Sequence, residues 1–191
     1  MDPRRRARLS KLLALLLRHD PQRAGLRLEP GGWVSVEHLI AALGRLGRNV
    51  TKAELEEVVR VADGAGGRGG KDRFELSADG THVRARYGHS LAVDMGYEPA
   101  EPPPVLYHGT ATTALDVILT DGIRSMGRQL VHLSEDVPSA AQVGARHGRP
   151  VVVAVDAAAL ARDGGVFHRL PGGVWLTAEV PPHRIEGVVT P

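Results

Sequence analysis

Tyr97-Glu98-Pro99-Ala100-Glu101-Pro102-Pro103-Pro104 divides this chain. Four prolines in six residues exclude a helix or a central strand, because proline lacks the amide hydrogen and fixes φ. The stretch reads as a stiff, extended connector. A break here in 191 residues leaves two lobes of roughly 100 residues or a little less, an ordinary domain size. The expected organisation is a lobe at 1–96, a linker at 97–104 and a second lobe at 105–191.

Toward the N-terminus, Leu9, Leu12, Leu13 and Leu16 follow the i, i+3, i+4, i+7 spacing of an amphipathic helix. Pro21 places its end near Asp20. Gly31-Gly32-Trp33 predicts a turn, and Ser35 is placed to cap a second helix running to about Leu46. Thr51-Lys52-Ala53-Glu54 has the form of a capping box and opens a third helix to about Ala62. Gly64 to Gly70 then reads as a flexible loop. Strands at 73–76 and 81–85 follow, joined through Asp79-Gly80, a favoured hairpin dipeptide. Three helices and a two-stranded wing outline a winged helix, a form that serves nucleic-acid and protein contacts alike. Beyond the connector, predicted strands at 105–107, 131–133, 151–155, 166–168, 174–176 and 185–188 alternate with helices at 112–119 and 138–147. The fold class is therefore α+β.

The hydrophobic content of 42% supplies real cores. The longest apolar run, Leu12 to Leu17, falls far short of the ~20 residues that span a bilayer, so no membrane partner is expected. Arg4, Arg5, Arg6 and Arg8 precede those leucines as in a signal peptide. Arg18 and His19 end the run without a small-residue cleavage site, which argues against one. The absence of cysteine excludes disulfides and thiolate zinc sites and agrees with a cytoplasmic location. Residues 1–100 hold 17 Lys+Arg against 13 Asp+Glu, and the remainder 7 against 9. The first lobe is thus the one suited to a polyanion.

Four basic groups stand out. Arg18 and His19 close the leucine helix, Arg73 lies in Lys71-Asp72-Arg73-Phe74, and Arg128 lies in Ser125-Met126-Gly127-Arg128-Gln129-Leu130. Arginine keeps its charge and presents a planar fork matched to phosphate oxygens. Histidine adds a group that exchanges protons near neutrality. Together they are expected to meet on one phosphate. Each also has a plainer reading: a basic helix end complementing the macrodipole, an exposed wing strand, a surface arginine. Leu106-Tyr107-His108-Gly109-Thr110 reads as a strand ending in a turn, with a glycine that permits close backbone approach. Equally, it reads as a strand-to-helix turn capped by Thr110, Thr112 or Thr113. No G-x-G-x-x-G or P-loop occurs, which argues against a Rossmann site and a Walker NTPase. His82, His89, His147, His168 and His183 lack metal-ligand spacing, and His132 reads as a structural histidine. No metal is expected.

Taken in order, these phrases resemble the RNA 2′-phosphotransferase (KptA-type) family. The matching stretches include Leu17-Arg18-His19-Asp20-Pro21, Gly32-Trp33-Val34, Lys71-Asp72-Arg73-Phe74 and Gly88-His89-Ser90. They continue with Leu106-Tyr107-His108-Gly109-Thr110, Gly122-Ile123-Arg124-Ser125-Met126-Gly127-Arg128, Val131-His132-Leu133-Ser134 and Gly173-Val174-Trp175-Leu176-Thr177. The resemblance implies an N-terminal RNA-binding winged-helix lobe and a C-terminal ADP-ribosyltransferase-like mixed α/β lobe that takes NAD⁺ as co-substrate. It implies that an internal RNA 2′-phosphate attacks C1″ of NAD⁺ and expels nicotinamide. The ribose O2″ then attacks phosphorus, releasing RNA with a 2′-hydroxyl and ADP-ribose 1″,2″-cyclic phosphate. Arg18, His19, Arg73 and Arg128 would be catalytic, and Tyr107, His108, Gly109, Thr110, His132 and Ser134 would bind NAD⁺. Partners would be a tRNA-like RNA carrying a 2′-phosphate and NAD⁺, and a monomer is expected. Arg86-Tyr87 stand where the family commonly has Asn-Gln, and Leu130 where many members have histidine. Two alternatives stay open: an ADP-ribosyltransferase capping terminal phosphates of RNA or DNA, and a non-catalytic winged-helix nucleic-acid binder.

Overall fold

Helix α1, Pro3–Arg18, opens the chain, with the Asp2 carboxylate accepting from the amides of Arg4 and Arg5. Those amides have no partner inside the helix, so an aspartate at this point stabilises the first turn. A computed structural model describes residues 1–62 and 73–189. Leu9, Leu13, Leu16 and Leu17 of α1 are buried, while Leu12 is only partly covered. The helix ends at Arg18, and Asp20 caps the 3-10 turn Pro21–Ala24 through the Arg23 amide.

Strand β1 (Trp33–Ser35) leads into helix α2 (Val36–Arg45), and helix α3 (Lys52–Ala62) follows. β1 departs from the expected turn: after Gly31-Gly32, both at positive φ, Trp33–Ser35 pairs as an edge strand. Ser35 occupies the capping position but its hydroxyl makes no cap. The Val36 amide donates instead to the Thr81 carbonyl at 2.8 Å, so the sheet satisfies the group a cap would have served. The capping box of α3 forms as expected: Glu54 N donates to Thr51 Oγ1 and Thr51 N to Glu54 Oε2. The glycine-rich 64–70 stretch lies outside the described residues.

Strands β2 (Phe74–Leu76) and β3 (His82–Ala85) complete an antiparallel sheet of order β1-β3-β2. Asp79-Gly80 makes the hairpin turn with Gly80 at φ 66°, a conformation glycine adopts without steric cost. One core joins Leu13, Leu16 and Leu17 to Leu39, Leu43, Leu55, Phe74 and Val83.

The chain divides into two compact units, Met1–Gly96 and Tyr97–Pro191. In the second unit the proline-rich stretch does not run free. Ala100 N donates to the Phe167 carbonyl at 2.8 Å, and the Tyr97 ring meets His168 with centroids 5.7 Å apart.

The second unit runs β4 (Val105–Ala111), α4 (Leu115–Asp121), β5 (Val131–Ser134), α5 (Val137–Gly144) and β6 (Pro150–Asp156). It continues with α6 (Ala157–Arg162), β7 (Phe167–Leu170), β8 (Val174–Thr177) and β9 (Ile185–Val189). The six strands form one antiparallel sheet of order β7-β8-β5-β4-β6-β9. Val151 to Val155 are all buried, as expected of a strand covered on both faces. Leu106, Leu133, Val153 and Val155 form a core with Ile118 of α4 and Leu160 of α6. Strand alternation turns Gly109 to the other face, where a Cβ would lie 1.7 Å from the Ala140 carbonyl oxygen of α5. Both units mix helices with antiparallel strands, and the chain is α+β. Among the described residues, no helix is long and apolar enough to cross a membrane.

Candidate active site

The end of α1 and the segment after β3 assemble the first group of candidate residues. Ser90 N donates to the Arg18 carbonyl at 3.0 Å, and Ser90 Oγ lies 3.0 Å from His19 Nδ1. The turn at Gly88-His89-Ser90 thereby takes over a carbonyl left open by the helix end. Arg18 Nη2 donates to the Arg73 carbonyl at 3.2 Å. Its guanidinium lies 5.7 Å from the Phe74 ring and 5.2 Å from the Tyr87 ring. A cation over aromatic faces is attracted by the ring quadrupoles and also loses rotamer freedom. Gly88 at φ 83° passes this guanidinium, with Arg18 Nη1 3.5 Å from where a Cβ would stand. Arg18 and His19 are therefore gathered with the main chain of Arg73 at one place in the first unit. His19 is exposed and the two arginines are half-buried.

Three supporting residues escaped the sequence reading. Ser90 and Tyr87 hold His19 and Arg18, and Phe74 adds a second ring. The Gly-His-Ser phrase was a visible signal for Ser90. Arg86 is held by β2: it donates to the Phe74 carbonyl and pairs with Glu75 at 2.9 Å. His89, 2% exposed, has its Nε2 buried without a hydrogen-bond partner among the described residues. Burial, then the nearby charges of Arg18, His19 and Arg84, lowers its pKa to about 4.

In the second unit, His108, Gly109 and Thr110 do not form the expected turn. They continue β4, facing Val153, Val152 and Val151 of β6. A full row of valine partners extends the strand through Ala111, and the turn comes only at Thr112–Ala114. The close approach that Gly109 permits is that of α5. Gly144 does the same from the other side, since a Cβ there would lie 2.5 Å from the Thr110 carbonyl oxygen.

On its other edge β4 meets β5 at a single register pair, Tyr107 with Ser134. Past that pair His108 Nδ1 lies 3.1 Å from the His132 carbonyl oxygen, so a side chain bridges where a ladder bond would otherwise form. Beyond that pair β4 and β5 have no register partners in each other. Alternation turns Tyr107, His132 and Ser134 to the α5 face, and His108 and Thr110 to the opposite one. Burial holds His108 below the usual imidazole range, opposed by its bond to the His132 carbonyl. The charges of His147 and Arg128 push the same way as burial, so Arg128 lies within electrostatic reach of His108. Arg128 is exposed in a turn, its amide bonded to the Ser125 carbonyl, beside Met126 at φ 51°. His132 Nδ1 lies 3.0 Å from the Leu130 carbonyl, so the contact at Leu130 is made by main chain. Val174 is buried and pairs with Ser134 and Leu170.

A guanidinium fork held beside an imidazole is chemistry suited to an anionic group such as a phosphate. Over residues 4–179 the sequence matches the family described as RNA 2′-phosphotransferase, Tpt1 / KptA family, and the chain belongs to that family. Proteins named "Probable RNA 2′-phosphotransferase" match it almost end to end. That of Streptomyces griseus is 48% identical over 189 residues, covering 95% of this chain and 96% of its own. That of Herpetosiphon aurantiacus is 48% identical over 182 residues, with 95% and 96% covered. That of Nostoc punctiforme is 43% identical over 188 residues, with 98% and 100% covered.

Proposed function

We propose that this protein is an NAD⁺-dependent RNA 2′-phosphotransferase, which moves an internal RNA 2′-phosphate to NAD⁺ and releases nicotinamide and ADP-ribose 1″,2″-cyclic phosphate. In this reading the first unit is a winged-helix RNA lobe and the second an ADP-ribosyltransferase-like lobe. The observation that carries it is the fixing of Arg18 by the Arg73 carbonyl and the Tyr87 and Phe74 rings, with His19 set against Ser90 beside it. A guanidinium held in advance, as that of Arg18 is, suits a phosphate, because its orientation is set before the ligand arrives.

NAD⁺ fits the second unit at the β4–β5 split. His108 is kept neutral there by burial, and Arg128 supplies a positive charge for a diphosphate or for the transferred phosphate. When bound, NAD⁺ supplies an electrophilic ribose carbon with nicotinamide as leaving group. A phosphate nucleophile is already anionic, so the first transfer asks the protein for positioning rather than for a general base. The buried, apolar Val174 of β8 offers no carboxylate there, in keeping with a nucleophile of that kind. In the second transfer Arg18, Arg73 and Arg128 stabilise charge on a crowded phosphodiester. His19 Nδ1 is engaged with Ser90, which assigns proton exchange with the sugar oxygens to Nε2.

The test is a defined oligonucleotide bearing one internal 2′-phosphate, incubated with NAD⁺ and followed by mass spectrometry. Nicotinamide and RNA with a 2′-hydroxyl are expected. A stable ADP-ribosyl adduct formed only on terminal phosphates would assign the capping activity instead. No nicotinamide with any phosphorylated nucleic acid would leave a non-catalytic binder.

A further inference from the structure

A second basic feature of the first unit plays no part in that reaction. Arg8, Lys11, Arg23 and Arg48 rim a cavity of about 640 Å³ with Leu12 and Leu46 in its wall. It lies between α1, the turn Pro21–Ala24 and the segment joining α2 to α3. Among the described residues these four cations form no salt bridge. Arg5 of the same rim is already held, by Glu54 at 2.8 Å and the Asn49 carbonyl at 2.7 Å. Four like charges around one hollow repel each other until an anion neutralises them. Leu46 is 36% exposed, so a flat apolar body laid on it would be stabilised by the area it covers. The volume lies within the ~300–1,000 Å³ usual for ligand sites.

Direction ties this hollow to the phosphate group. Arg8 and the helix end at Arg18 are ten residues of α1 apart, a rise of about 15 Å. Arg23 extends the basic track from the cap that follows His19.

We propose that this cavity seats an unpaired nucleotide of the substrate RNA, a few nucleotides from its 2′-phosphate. The backbone phosphates lie on Arg8, Lys11, Arg23 and Arg48, and the base lies against Leu12 and Leu46. The proposal rests on RNA being the substrate. An unpaired strand is specified because a base held in a duplex cannot turn its face into a hollow. The consequence is a length dependence: RNA flanking the 2′-phosphate contributes affinity, whereas a minimal substrate reacts without using the cavity.

The test compares two fluorescent single strands with internal 2′-phosphates, one barely flanking the phosphate and one extended by several nucleotides. Binding is measured by anisotropy without NAD⁺, for the full chain and for Arg8→Ala/Arg48→Ala. Both positions are exposed, and an unchanged Tm confirms folding. Lys11→Ala serves as a milder second variant. For the extended strand the double variant is expected to raise Kd about tenfold or more, and to flatten log Kd against log salt by ~1.4, at ~0.7 per phosphate contact. Binding of the short strand should not change. Equal effects on both strands, or none on either, would overturn the proposal. So would a duplex of the same sequence, or a polyglutamate peptide, binding as tightly with the same dependence on Arg8 and Arg48. If the extended strand binds as expected but no nicotinamide is ever released, the reaction proposed above falls and the nucleotide seat stands.

Discussion

Arg18 Nη2 and the main-chain carbonyl of Arg73 lie 3.2 Å apart, joining the end of α1 to the entry of β2 across 55 residues of chain. The bond leaves the guanidinium between two aromatic rings rather than loose on the surface. A lysine reaches the same region but offers neither the fork nor the flat cation. Arg18→Lys is therefore expected to lower kcat about 100-fold or more, equivalent to at least ~2.7 kcal/mol of transition-state stabilisation. Single-turnover formation of RNA with a 2′-hydroxyl measures it, and near-normal turnover would remove Arg18 from the chemistry.

Arg128 calls for a different readout. It sits in an exposed turn and acts on its surroundings through charge. Arg128→Ala is expected to retain nicotinamide release while slowing formation of RNA 2′-hydroxyl by about 100-fold or more. Full turnover of both products would take Arg128 out of the proposed mechanism.

Gly109 is a matter of packing. Its missing side chain lets the Ala140 carbonyl oxygen of α5 come to within 1.7 Å of the Cβ position, whereas nothing lies within 4 Å of the same position at Gly127. Gly109→Ala must push α5 off β4 and is expected to cost ~3 kcal/mol or more. Gly127→Ala should be close to neutral. Urea unfolding of the two variants side by side checks the contrast.

His89 predicts a pH dependence. Its folded pKa is lowered to about 4, against about 6.5 in an unfolded chain. The unfolded state therefore binds the proton first, and stability falls as pH drops from 6.5 toward 4. The linkage gives a loss of about 2 kcal/mol between pH 7 and pH 5 from this group. Below pH 4 both states are protonated and the loss is complete. Urea titrations at the two pH values should show it, and His89→Gln should remove that part of the difference. An identical pH slope in the variant would mean that other groups carry it.

Much of the architecture was legible in local pattern. The leucine spacing of α1, the Thr51–Glu54 box and the Asp79-Gly80 hairpin each depend on neighbours within a few residues, and each forms. The departures come from long-range pairing. Trp33–Ser35 became a strand because β3 offered it an edge. His108 to Thr110 stayed in a strand because Val153, Val152 and Val151 of β6, some 40 residues away, pair beside them. No turn residue nearby could have announced either.

Of the candidate site, the residue types were readable and their supports were not. Arginine and histidine declare their chemistry in any context, so Arg18, His19, Arg73 and Arg128 could be singled out from phrase alone. That Tyr87 and Ser90 would hold Arg18 and His19 could not be read the same way. A ring stacked on a guanidinium, or a hydroxyl set against an imidazole, arises only where distant segments meet.

What the linear order of residues determined was two α+β units, a charge bias toward the first, and membership in a phosphotransferase family carried by phrases along nearly the whole chain. Folding decided the rest: the gathering of Arg18 and His19 with the main chain of Arg73 at a helix end, and the parting of β4 from β5 after one register pair. The physical reason is range. Periodicity and caps act over a turn or two of backbone, whereas orientation, burial and strand separation are set by segments tens of residues apart in the chain.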